Sequence, residues 1–318
     1  MDWSAKTLWE STGLIPEKKP RWQALLNGLI GDTLAARDSS WAIPMSLSGE
    51  VRGDKLCILV HGLCDSEETW RYDEEPSHSY GALLQRDLGY CPLFLRYNSG
   101  LHISTNGRLF SEKIEQILGG HPEIREVLLI GHSMGGLVIR SACHYGSQEK
   151  AKWVPLVKKI FFLGVPHLGS DWEKLGHVTS LILNTIPNPV TWGLGAIGNK
   201  RSAGIKDLRF GYLLDEDWQE ADADLSLKNH RHPVPLMDSI QYHVIAASLA
   251  KESDNIFTRS FGDGLVAARS VAGRSYVKSR SLEFHPDRFK TFRGLSHSQL
   301  ASHPEVYDLI KEWAAASA

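Results

Sequence analysis

EVLLIGHSMGGLVIRSAC, residues 126–143, is the stretch from which the fold can be read. Glu126 to Ile130 forms an apolar run of strand length. Gly131-His132-Ser133-Met134-Gly135 follows, and Leu137, Val138, Ser141 and Ala142 then recur with helical spacing. The pattern is G-x-S-x-G between a buried strand and a helix. A chain that reverses this sharply forces its serine into strained backbone angles and pushes the hydroxyl out of the turn. Side chains two positions either side of the serine would collide, hence the glycines. The helix that starts there aims free N–H groups and its positive end at Ser133, which suits an anion forming beside it. Ser133 is therefore the candidate nucleophile.

Working outward, Lys55–Val60 (KLCILV) and Lys159–Val165 (KIFFLGV) read as strands buried on both faces, and Trp41–Leu47 and Pro92–Tyr97 as shorter ones. Residues 66–88 read as polar and then helical, with Tyr80, Leu83, Leu84 and Leu88 on one face, and residues 104–118 read as a helix through Leu109, Ile114, Ile117 and Leu118. The chain resumes with a strand at Tyr242–Ser248, a polar loop, a last strand over 288–293 and a last helix through Val306, Leu309, Ile310 and Trp313. Strands alternating with helices predict an α/β fold. Its central sheet is mostly parallel, has helices on both faces and is joined by right-handed crossovers. Chemistry in such sheets gathers at the carboxyl ends of the strands. Three of those ends read His61-Gly62-Leu63, Gly131–Gly135 and Pro166-His167-Leu168-Gly169.

A serine nucleophile needs a base and a group to orient that base. With this type of turn, the chain order is serine, acid, histidine. Asp263, between Gly262 and Gly264 after the 242–248 strand, fits the acid; Asp238 and Asp254 are the alternatives. His297, beyond the last strand, fits the base better than His285 or His303. Backbone N–H groups of Met134 and Leu63 are the candidate oxyanion donors. His61, His132 and His167 are candidates for lining the pocket, and His61 is better explained as a structural histidine holding its loop. They come from separate strand ends without acidic ligand spacing, so no metal and no cofactor is expected.

Residues 170–240 interrupt the strand–helix rhythm. Leu175, Val178, Leu181, Ile182 and Ile186 suggest a helix ended by Pro187 and Pro189, and a second helical piece runs near Ile205–Leu214. This segment reads as a helical cap inserted into the sheet domain. Residues 1–40 form a helical extension to the domain of residues 41–318. Within it, Trp22, Leu25, Leu26, Leu29, Ile30 and Leu34 mark an amphipathic helix from about Pro20 to Arg37. Such a helix can meet lipid or pack on the domain, and its few basic residues favour packing.

Composition excludes other classes. The 318 residues are 42% hydrophobic and 23% charged, with a net charge of −2, which gives no reason to expect a nucleic-acid partner. No run approaches a membrane span, and no secretory signal is visible, so a cytoplasmic location is expected, a processed secreted form being the alternative. Cys57, Cys64, Cys91 and Cys143 show no ligand spacing and read as free thiols.

Five segments taken together carry a family resemblance: VHGLCDSEETW, GHSMGGLVIR, GVPHLGSDWEKLG, GDGLVAARS and GLSHSQLASHPEVYDLIKEWA. From about residue 55 onward the chain resembles α/β-hydrolase serine lipases and esterases. It is most similar to bacterial triacylglycerol lipases and the lipase-like domain of GPI inositol-deacylases. The resemblance implies the α/β-hydrolase fold with a cap, Ser133 as nucleophile, Asp263 as acid, His297 as base, and Leu63 and Met134 as oxyanion donors. It implies hydrolysis of a small-molecule or lipid ester through an acyl-enzyme. An acyltransferase using the same residues, or a non-catalytic binding protein on the same scaffold, are the rival readings. The calcium site of some such lipases finds no match around His297-Ser298-Gln299.

Overall fold

The computed structural model describes residues 19–72, 75, 77–170, 201–219, 229–249, 268–275 and 281–316. In chain order the main elements are α1 (Lys19–Ala36), β1 (Ser46–Ser48), β2 (Lys55–Val60), α2 (Tyr80–Leu88), β3 (Cys91–Arg96), α3 (Ile103–Gly120), β4 (Glu126–His132), α4 (Met134–Gln148) and β5 (Val157–Leu163). They continue with α5 (Ala203–Phe210), α6 (Asp215–Gln219), β6 (Gln241–Ser248), α7 (Ala268–Val271), β7 (Phe289–Arg293) and α8 (Pro304–Ala315).

The strands form one sheet in the order β1-β3-β2-β4-β5-β6-β7. β1 runs antiparallel to β3, and every other pairing is parallel. Strand order reverses at β2, which lies between β3 and β4. In open α/β sheets ligands gather at such a switch point, beyond the carboxyl ends of the strands. β2 and β4 are buried almost throughout because both faces of the sheet are covered, as their unbroken apolar sequences require. Alternate side chains feed two cores. Phe162 and Val244 pack with Leu137, Val138 and Phe110 on one face, and Phe161 and Ile245 pack with Leu84, Leu300 and Ile310 on the other.

Two elements differ from the sequence-based expectation. The strand expected over 41–47 is confined to β1. Upstream of it, the buried Asn27 of α1 takes the backbone groups a ladder would need: its amide donates to the Trp41 carbonyl at 2.8 Å, and its carbonyl oxygen accepts from the Ile43 N–H at 2.9 Å. The helix expected over 205–214 stops at Phe210, where Gly211 takes φ 68°. The amides of Leu213 and Leu214 then donate to the buried carboxylate of Asp217. The helix expected around 175–186 lies outside the described residues. α5 is tied to the sheet domain by Asp207, which accepts from the N–H of Ile103 at 2.8 Å and so caps α3. All four cysteines are buried and unpaired.

α1 packs on the domain near the carboxyl ends of the strands. Leu29 and Ile30 are buried together with Cys64 and Ile205, while Trp22, Leu25, Leu26 and Leu63 close the cluster. The helix kinks at Ile30, whose φ of −141° breaks the helical run. Among the described residues no helix is long and apolar enough to cross a membrane.

His243 on β6 generates a testable pH dependence. It is 3% exposed, stacks on Phe161 at 4.7 Å and lies against Trp313 at 5.0 Å. Burial, helped by Arg288 and Lys159, lowers its pKa to about 3. The unfolded chain takes up this proton near about pH 6.5, whereas the folded chain does not until near the lowered value. Stability is therefore full above pH ~6.5 and falls as pH drops below it, with a slope of about 1.4 kcal/mol per pH unit for this group. His243→Phe should remove one proton's worth of that slope, read by urea unfolding between about pH 4 and 6.

Candidate active site

The site is assembled from three adjacent strand ends. Val60 of β2 is in register with Gly131 of β4, and His132 of β4 with Leu163 of β5. The loop 61–64, the turn at Ser133 and the turn at Gly164 therefore emerge side by side.

Ser133 has φ 52° and ψ −126°, angles that a side-chain-bearing residue adopts only under constraint. The constraint is visible on both sides. Its N–H donates to the Leu163 carbonyl at 2.9 Å, and its carbonyl accepts from Gly136 at 3.1 Å. The close approach also fixes the flanking residues. A Cβ at 135 would lie 2.2 Å from the Val60 carbonyl oxygen, and one at 131 would lie 2.7 Å from the Gly136 backbone. Ser133 sits at the head of α4 but makes no side-chain capping bond, so its hydroxyl is not spent on the helix. Met134, the first helical residue, is fully buried. Gly62 backs directly onto the serine, since a Cβ there would come within 3.0 Å of Ser133 Cβ. Leu63 follows it, bridging the sheet core and the α1 cluster.

His297 is 6% exposed. Its ring lies over Gly164, where a Cβ would be 2.9 Å from Cε1 and 3.0 Å from Nδ1. It also lies against the ring of His132 at 4.8 Å. Its carbonyl pairs with Nε2 of His132 at 3.1 Å. The fold thus brings His297 from the C-terminal loop to the residue immediately before Ser133. The Ser133 hydroxyl makes no hydrogen bond to it, and a contact of this kind commonly tightens only when substrate is bound. Asp263 and Asp254 lie outside the described residues. Asp238 precedes β6, at the end of the sheet away from Ser133.

The remaining histidines separate. His61 is fully buried and stacks on Tyr97 at 4.4 Å, and its Nδ1 pairs with the Gly62 carbonyl at 2.9 Å. Burial lowers its pKa, so it stays neutral and holds the loop. The Tyr97 hydroxyl reinforces this by donating to the His61 carbonyl at 2.8 Å. His132 joins the nucleophile turn to the His297 loop. His167 points elsewhere: its ring packs against Phe162 and Phe284 and lines a pocket with Arg140 and Arg231. Among the described residues no group of three His, Cys, Asp or Glu is placed to hold a metal.

Sequence reasoning missed the part played by α1. Gly28 lies against Cys64 so closely that a Cβ would sit 2.1 Å from its Sγ and 2.7 Å from its backbone nitrogen. Cys64 itself has φ 59°, and its N–H donates to Ser99 Oγ at 3.1 Å. Gly31 approaches Asn98 in the same way, and the Asn98 amide donates to the Gly31 carbonyl at 2.8 Å. The small residues at 28 and 31, one helical turn apart, were the available signal.

Residues 50–202, just under half of the chain, match a family model described as "Putative serine esterase (DUF676)". No curated protein shows significant similarity. Among solved structures, the mature form of the Bacillus licheniformis lipase BlEst2 superimposes with a TM-score of 0.50 at 18% identity, covering 85% of this chain and 97% of that one. Its propeptide form gives 0.52 at 18%, covering 86% and 54%. The phospholipase PlaB of Legionella pneumophila gives 0.50 at 17%, covering 83% and 60%. The fold is the α/β-hydrolase fold.

Gly28→Ala should lift α1 from the 61–64 loop. Overpacking of this kind costs about 1–3 kcal/mol. The variant should melt lower, and Cys64, buried in the parent, should become alkylated in the folded protein, as read by mass mapping of iodoacetamide adducts.

Proposed function

We propose that the protein is a serine ester hydrolase working through an acyl-enzyme on Ser133. The observation that carries this reading is the strained Ser133 at the head of α4, its hydroxyl free of capping duty and the His297 loop hydrogen-bonded to the residue beside it. The matched family model and the fold agree with it.

In this reading Ser133 Oγ attacks the ester carbonyl while His297 takes its proton. The amides of Met134 and Leu63 receive the oxyanion, helped by the positive end of α4. The protonated His297, stabilised by Asp263, gives its proton to the departing alcohol. Water then repeats the sequence on the acyl-serine. Asp263 enters through chain order alone, as an acid downstream of β6. The substrate is assigned to the small-molecule carboxylic esters with an apolar acyl group. The lipase and phospholipase names among the structural neighbours prompt that choice, and the fold alone does not dictate it.

A fluorophosphonate probe should label the wild type on Ser133 and fail to label Ser133→Ala. Turnover of p-nitrophenyl esters should drop on the order of 10⁴–10⁶-fold in that variant. Full activity in Ser133→Ala, or a folded wild type that the probe ignores, would overturn the assignment. Ser133→Gly should be inactive yet more stable by about 1 kcal/mol, because glycine adopts positive φ without strain; paired thermal melts read that difference.

A further inference from the structure

We propose that Tyr80 is a positioning residue for His297: its hydroxyl fixes the backbone of residues 297–303 and thereby the seat of the imidazole. The inference rests on the reading of Ser133 and His297 as nucleophile and base. Tyr80 is the first residue of α2 and stands 220 residues before Leu300 in the chain. Its side chain is fully buried. The hydroxyl donates to the Leu300 carbonyl at 2.9 Å, with the His303 carbonyl also within reach at 3.0 Å, and it accepts from the His303 N–H at 3.0 Å. One phenol thus spans the backbone between the turn that His297 begins and the start of α8.

The link continues from Leu300 to the base in two ways. The Leu300 N–H donates to the His297 carbonyl at 3.3 Å and closes the turn. The Leu300 side chain shares the seat of the ring, since a Cβ at Gly164 would lie 3.0 Å from Leu300 Cδ1 as well as 2.9 Å from His297 Cε1. The residue that Tyr80 holds therefore bonds to the backbone of the histidine and packs beside its imidazole. At the other end of the segment, His132 Nε2 pairs with the same His297 carbonyl at 3.1 Å. The buried Trp70 packs against both anchors, 6.0 Å from the Tyr80 ring and edge-on to His132 at 6.4 Å.

Joining α2 to α8 does not account for where this hydroxyl goes. Asp87 makes that junction: it accepts from the Tyr307 hydroxyl at 2.8 Å and pairs with Lys311 at 3.0 Å. The Tyr80 hydroxyl bonds instead to backbone groups of residues 300 and 303. Such anchoring matters for a base, because a displacement of about 1 Å caused far from the chemistry can cost on the order of 10²-fold in rate.

Tyr80→Phe keeps the ring and removes these bonds. On p-nitrophenyl butyrate its kcat should fall roughly 10–100-fold with KM within about twofold, and its rate of fluorophosphonate labelling should fall in parallel. Tyr307→Phe removes a hydroxyl bond from the same aromatic cluster; it should lower the melting temperature comparably and leave kcat within about twofold. Should Tyr80→Phe not fold, 4-aminophenylalanine and 4-fluorophenylalanine at position 80, both near-isosteric with tyrosine, repeat the comparison, and the analogue that can donate should turn over roughly tenfold faster. A wild type labelled on Ser133 beside an unchanged kcat in Tyr80→Phe, an equal loss of kcat in Tyr80→Phe and Tyr307→Phe, or equal rates for the two analogues would overturn the proposal and leave Ser133 in place. A folded wild type that the probe ignores would overturn both.

Discussion

The structure depends on one close approach, where the first turn of α4 presses on the end of β2. At residue 135 the carbonyl oxygens of Val60 and His61 stand where a side chain would begin. Because α4 must pass this near, the chain leaving β4 has a single residue in which to turn, and that residue is Ser133. The strain at Ser133 is the local cost of a contact that holds β2, β4 and α4 together. It places the serine beside the 61–64 loop, and the same strands carry Leu163 and Gly164 up to meet His297. Loss of that approach would dissolve the turn, the loop spacing and the seat of the histidine ring together.

Much of this was legible because it is local. An apolar run with both faces buried, a G-x-S-x-G turn and a helical repeat each declare themselves within a dozen residues, and so β2, β4, β5 and β6 could be read directly. His297 was reached through topology, as the histidine after the last strand, and the fold does bring it to His132. Features made by long-range contact were not legible. Nothing near Trp41 says that Asn27 will claim its carbonyl and so end a strand before it starts. Nothing near Arg231 says that it will face Arg140. His167 shows the difference within one residue: its place at a strand end was readable, but the face of the sheet it serves depends on Phe162 and Phe284.

Charge is handled differently in two parts of the interior. Lys159, 3% exposed, turns its ammonium onto the carbonyls of Trp313 and Ala314 and so satisfies the C-terminal end of α8 with a cation, the sign that this end of a helix favours. The carboxylate of Asp217 likewise receives backbone N–H groups from Leu213, Leu214 and His232. Arg140 donates to the Val234 carbonyl, which ends no helix, and lines a pocket. The contrast separates a buried ion that completes a helix or a turn from one that faces a pocket.

The attachments of α1 have a further consequence, for the order in which the chain assembles. Asn27 meets Trp41 and Ile43 across 14 and 16 residues, whereas Ser202 reaches the Gly28 carbonyl across 174. Short loops close quickly, and long ones wait until much of the chain has condensed. The helix can therefore be anchored at its near end early, while its fit over the 61–64 loop is sealed only when the segment at 202–205 arrives. The covering of the nucleophile's neighbourhood thus belongs to the last stage of folding, although the helix that provides it is the first element of the described chain.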